Sequence, residues 1–145
     1  MKKILMFTLC SLLFSLSYGS EILEGSSDLS MLIQSFYRAY VTEACDVSKT
    51  DSILSMYCSE ELKVFVQETL YTDGYDFITD GWYDVNPDSV SVIKLNDKYK
   101  VSFKASLYPI SNELTTVVLY ILVNQEQKIS YIIRPYDNYM IPHSD

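Results

Sequence analysis

"KYKVSFKASLY", Lys98 to Tyr108, sets Lys98, Lys100, Ser102, Lys104 and Ser106 against Tyr99, Val101, Phe103, Ala105 and Leu107. A period of two describes a strand with one wet face and one buried face. Before it, "SVSVIKL" joins through "ND", a short hairpin signal. After it, "LTTVVLYILVN" is apolar on both faces, as a central strand is, and "KISYIIRPY" follows a polar turn at "NQEQ" and closes the sheet. Three short connections predict a four-stranded antiparallel meander.

Upstream of Pro87 the period is helical. Leu29, Leu32, Ile33, Phe36, Tyr37 and Tyr40 recur at the spacing of one helix face, which predicts an amphipathic helix capped by Ser26 or Ser27 and ending near Ala44. "SEELKVFVQETL" repeats the pattern. Ser59 stands as its cap, Glu60 and Glu61 lie in the first turn where the helix dipole favours acids, and Leu62, Phe65, Val66 and Leu70 share a face. Two or three helices packed on one face of a four-stranded antiparallel sheet make an α+β domain.

The first nineteen residues belong to a different regime. "MKKILMFTLCSLLFSLSYGS" opens on Lys2 and Lys3, runs apolar from Ile4 to Leu16 and places Ser17 and Gly19 where a signal peptidase accepts small residues. The run is too short to anchor the chain, because about 20 Å of helix falls short of a hydrocarbon core of roughly 30 Å. Residues 1–19 are therefore read as a cleaved signal and 20–145 as one domain, periplasmic or secreted, with no membrane span in the mature chain. Losing the two lysines takes the formal charge from −8 to −10. So acidic a surface repels phosphate, which excludes nucleic acid and anionic lipid as partners.

Cleavage also removes Cys10 and leaves Cys45 and Cys58. In an exported protein an even pair predicts a disulfide, and closing so short a loop stabilises by roughly 3 kcal/mol in the chain-entropy model.

Chemistry-bearing residues concentrate in "TDGYDFITDGWYDV", Thr72 to Val85. Asp73, Asp76, Asp80 and Asp84 are spaced three, four and four apart, which fails the alternate-position pattern of a helix-loop-helix calcium site; a looser calcium site is the competing reading. Gly74 and Gly81 supply turn conformations, aspartates cap turns, and Phe77, Ile78 and Trp82 are expected to pin the connection to the core with the acids turned outward. Tyr71, Tyr75, Asp76, Asp80, Trp82, Tyr83 and Asp84 form a candidate binding rim, since rigid amphipathic rings among acids suit a cationic or hydroxyl-rich partner. Of the thirteen tyrosines, Tyr37, Tyr40, Tyr99 and Tyr131 fall on apolar faces and are expected in the core.

No catalytic, cofactor-binding or metal-ligating residue is assigned. The single histidine, His143, sits in the tail "IPHSD", and there is no nucleophile elbow, phosphate-cradling glycine loop or H-E-x-x-H. Arg134, at the end of an apolar strand, is expected to make a structural ion pair with a carboxylate.

"SFYRAY", "YCSEELKVFV" and "DGYDFITDGWYD", followed by the meander, resemble the secreted bacterial family catalogued as domain of unknown function 3828. That family is placed in the cystatin-like, nuclear-transport-factor-2-like superfamily. The resemblance implies a curved sheet wrapped around helices as a cone and an envelope location. It implies no activity, because none is established for the family. The function expected first is a non-enzymatic envelope module that recognises a peptide, glycan or small ligand through the cone pocket or the 72–85 loop. The alternative is an inhibitor or immunity-type protein covering a basic partner; a hydrolase or isomerase in the cone pocket comes third.

Overall fold

The computed structural model describes residues 24–43, 46–82, 84–107 and 109–135. Three helices come first, α1 (Glu24–Glu43), α2 (Val47–Tyr57) and α3 (Glu60–Asp73). Five strands follow, β1 (Asp84–Val85), β2 (Ser91–Lys94), β3 (Tyr99–Ser106), β4 (Thr115–Val123) and β5 (Ile129–Ile133), with a 3-10 turn at Pro87–Ser89. The helices pack against a curled antiparallel sheet, a half-barrel, so the α+β class holds.

The sheet has four lanes in the order β1-β3-β4-β5, because β2 shares a lane with β1 along β3. Val92 pairs with Val101, whereas Val85 pairs with Ala105 further along the same edge. Asn96 and Asp97 form the tight turn between β2 and β3, closed by the Leu95 amide donating to the Lys98 carbonyl at 2.8 Å. Between β4 and β5 the Asn124 amide reaches the Lys128 carbonyl at 2.9 Å, with Gln127 at φ 60°. Both hairpins fall where "ND" and "NQEQ" place them. The β3–β4 connection, residues 107–114, is longer than the short turn expected.

Period-two burial runs through β3, where Val101, Phe103 and Ala105 are sealed. The alternation stops at Ser106. Expected on the wet face, Ser106 is buried, because its lane is covered by β1 and its hydroxyl donates to Asp84 Oδ2 at 3.3 Å.

Ile33, Phe36, Tyr37 and Tyr40 lie one helical turn apart on α1 and are all buried, fulfilling the period read from the sequence. Their rings fill the space over the sheet. Phe36 meets Tyr37 edge-on at 5.2 Å, and Tyr37 packs on Phe103 at 5.9 Å. Tyr99 is also buried, but Tyr131 is only half-buried on the edge strand β5. Helix α1 starts at Glu24, ahead of Ser26 and Ser27, so neither serine is its cap.

Asp46 caps α2, its side chain accepting from the Ser48 and Lys49 amides, and Ser59 caps α3, its hydroxyl accepting from the Leu62 amide at 3.3 Å. Between them the chain touches the sheet. Cys58 bridges Ile129 in parallel, and the Ser59 amide donates to the Ile129 carbonyl at 2.8 Å. Lys128 donates to the carbonyls of Ser55 and Met56 at the end of α2, where cations suit the helix dipole. Cys58 is a buried free thiol pushed up to about 12 by burial. Its expected partner, Cys45, lies outside the described residues, as do the signal segment and His143.

Among the described residues no helix is long and apolar enough to cross a membrane.

Candidate functional site

The connection from α3 to β1 is built by its glycines and aspartates. Gly74 ends α3 in the left-handed conformation, its amide reaching Leu70 at 3.1 Å, and the Tyr75 amide reaches back to Thr69 at 3.4 Å. Asp76 then folds the chain into a turn: Oδ1 accepts from the Ile78 amide at 2.9 Å, and the Asp76 carbonyl accepts from the Gly81 amide at 2.8 Å. The Thr79 hydroxyl donates to the Trp82 carbonyl at 2.9 Å. Asp80 and Gly81 both take positive φ, 57° and 75°, a region that aspartate tolerates and glycine occupies freely. Gly81 has a second reason to be glycine. A Cβ there would stand 2.8 Å from the Tyr75 ring, so the ring packs onto the bare backbone.

One cluster latches this connection to the sheet. Tyr75 donates to Asp80 Oδ1 at 2.5 Å, while Arg134, just after β5, donates through Nη1 to the Tyr75 hydroxyl at 2.5 Å and to Asp80 Oδ1 at 3.5 Å. Its guanidinium also lies over the rings of Phe77 (4.8 Å) and Tyr75 (5.3 Å). The ion pair expected of Arg134 is thus present, with Asp80 as the carboxylate. Burial, then the bond and the negative charge of Asp80, push the Tyr75 hydroxyl up to about 12, against the pull of Arg134. Tyr75 is a neutral donor across the physiological range.

Asp76 faces the other way from the expected rim. The Tyr40 hydroxyl donates to its Oδ1 at 3.1 Å, and burial raises its carboxyl above the usual range, against the opposing pull of Thr79, then the Ile78 amide and Tyr40. The expectation of outward acids is therefore corrected for Asp76 and Asp80. Asp76 is held inward by the Ile78 amide and the Tyr40 hydroxyl, which offset part of the cost of burying its charge, and Asp80 is held by Tyr75 and Arg134. Phe77 and Ile78 are buried as expected, with Phe77 edge-on to Phe65 at 4.8 Å, but Trp82 is half-buried rather than sealed.

Trp82 and Asp80 instead line a cleft of about 390 Å³ with Lys100, Thr115, Thr116, Val117, Val118, Tyr120 and Pro135. Lys100, Thr116, Val118 and Tyr120 alternate with the buried Val101, Val117, Leu119 and Ile121, which puts them on the face of the β3–β4 ladder opposite the core. Lys98 sits over the Tyr120 ring at 4.9 Å. The rest of the expected rim disperses. Tyr71 stands exposed on α3 beside a small apolar cleft against α2, Asp84 is held in β1 by Ser106, and Tyr83 lies outside the described residues.

No family model matches the chain, and no curated protein matches it. Its fold is similar to that of a Bacteroides thetaiotaomicron protein of unknown function, at a TM-score of 0.57 and 20% identity over 73% of this chain and 88% of that one. At that identity the likeness concerns the fold alone, and the resemblance to domain of unknown function 3828 rests on the quoted motifs.

The sheet half of the cleft escapes a reading of the sequence. Lys100 and Tyr120 are twenty residues apart and become neighbours through the β3–β4 register, in which they are paired. Nothing in either strand's own pattern singles them out. Among the described residues no group of three or more His, Cys, Asp or Glu is placed to hold a metal ion. The cleft combines one carboxylate, one ammonium, two threonine hydroxyls and the rings of Trp82 and Tyr120, a set suited to orienting a small polar ligand.

Proposed function

We propose that this protein is a non-catalytic binding module of the bacterial cell envelope, whose ligand lies in the cleft between the 74–82 connection and the outer face of β3 and β4. The observation that carries the reading is the Arg134–Tyr75–Asp80 latch. It holds a loop on the sheet in one geometry, so that Asp80 and Trp82 face Lys100, Thr116 and Tyr120 across a space of about 390 Å³, within the roughly 300–1,000 Å³ of small-ligand pockets. Preorganisation of this kind favours binding because little loop entropy is lost when the ligand arrives. The interior over the sheet is filled by Phe36, Tyr37, Tyr40 and Phe103, which favours the loop over the cone as the place of recognition. Export is supported by the leader sequence alone, and N-terminal sequencing of secreted protein should begin near Ser20.

The binding test is a titration of 15N-labelled protein with small sugars, amino-acid derivatives and short peptides. Amide shifts should concentrate at residues 80–82, 100 and 115–120. Shifts confined to other surfaces would end this reading.

A further inference from the structure

We infer that the cleft takes a neutral sugar ring of a glycan, an inference that rests on the binding reading above. A pyranose has an apolar C–H face and a rim of hydroxyls that both donate and accept. Its site therefore needs an aromatic platform ringed by donors and acceptors of both kinds. The cleft supplies each. Tyr120 is covered on one side by Lys98, so the platform is Trp82, the only tryptophan in the chain. Lys100 donates, Asp80 accepts, and Thr115 and Thr116 do either.

Charge narrows the class further. The contacts of Asp80 with Tyr75 and Arg134 both fall on Oδ1, so Oδ2 is the oxygen offered to a ligand hydroxyl. An ammonium ligand at Asp80 would approach the Arg134 guanidinium, 3.5 Å from that same carboxylate, and be repelled by it. An anion would find Lys100 but would have to reach it through the field of a molecule with formal charge −8, or −10 once the leader is removed. A neutral polyol meets neither obstacle. Its hydroxyls gain from charge-assisted hydrogen bonds to Asp80 and Lys100, while its C–H face covers the Trp82 ring.

Because Trp82 is the sole tryptophan, its fluorescence reports on this cleft alone. The test titrates the mature protein with maltotriose, cellotriose, xylotriose and chitotriose, and separately with Nα-acetyl-lysine amide and Nα-acetyl-glutamate amide. A saturable emission change is expected with at least one trisaccharide. Lys100→Ala and Thr116→Val, both on the wet side of the sheet, should each weaken it about fivefold or more while circular dichroism shows an unchanged fold. A trisaccharide response undiminished in both variants would overturn the inference. Response to the charged amides but to no trisaccharide would overturn the sugar and leave the binding reading standing. Silence toward all six probes, with no amide shifts in the wider titration, would remove both.

Discussion

Tyr37 and Tyr40 are neighbours on the same buried face of α1, yet their hydroxyls have opposite consequences. Tyr40 donates to Asp76, whereas the Tyr37 hydroxyl is buried without a hydrogen-bond partner among the described residues. Removing an unpaired buried hydroxyl removes a desolvation cost, while removing a paired one orphans its acceptor. Tyr37→Phe is expected to leave stability unchanged or raise it by up to about 1 kcal/mol, and Tyr40→Phe to lower it by about 1–2 kcal/mol, as read from urea unfolding midpoints. Asp76 supplies a second residue-scale prediction. Burial raises its folded pKa, so the folded state binds the proton more tightly than the unfolded one. The stabilising contribution of that proton is complete below the unfolded pKa of about 3.9 and is lost as pH rises through the folded value. Asn keeps an acceptor for Tyr40 and Ile78 without the charge. The melting temperature of Asp76→Asn minus that of wild type should therefore be most positive near neutral pH and decline as the pH falls toward about 4; a difference independent of pH would contradict the inward carboxylate.

At the scale of elements, the latch decides whether the 74–82 connection is part of the sheet or a free loop. Arg134 joins the end of β5 to Tyr75, Asp80 and Phe77, with 22% of its side chain exposed against 14% for Asp80. Arg134→Met keeps much of the apolar stem and removes the donors. It is expected to cost about 1–3 kcal/mol, because the half-buried Asp80 and Tyr75 lose a charged partner. Amide hydrogen exchange at residues 76–82 should accelerate far more than in β3 or β4, and trisaccharide-dependent fluorescence should fall with it. Uniform acceleration across the sheet would show that Arg134 supports the whole fold rather than the latch. Much of the connection was legible beforehand: glycine and aspartate spacing announced turns, and Phe77 and Ile78 announced anchors. The direction of its acids was not. Whether a carboxylate turns in or out depends on the donors it finds, and Tyr40 and Arg134 come from elements 36 and 54 residues away.

Across the whole molecule, stability is expected to reside where α1 meets β3 and β4. Leu119 is fully buried between lanes β3 and β5 and opposite Val101. Leu119→Ala should cost about 2–5 kcal/mol in denaturant unfolding, the range for a core leucine whose cavity does not collapse. A loss below about 1 kcal/mol would mean that the half-barrel is loosely packed. Periodicity determined α1, α3, the strands β2 to β5 and most of the core, and turn residues determined both tight hairpins, because each is a local consequence of which side chains recur or bend the chain; α2 and β1 were not read from the sequence. Tertiary structure alone decided the inward turn of Asp76 and Asp80, the dispersal of Tyr71 and Asp84 from Trp82, and the pairing that brings Lys100 and Tyr120 to the same cleft. Those are contacts between residues distant in the chain, and the energy that selects them comes from partners that no local pattern of hydrophobicity or charge can name.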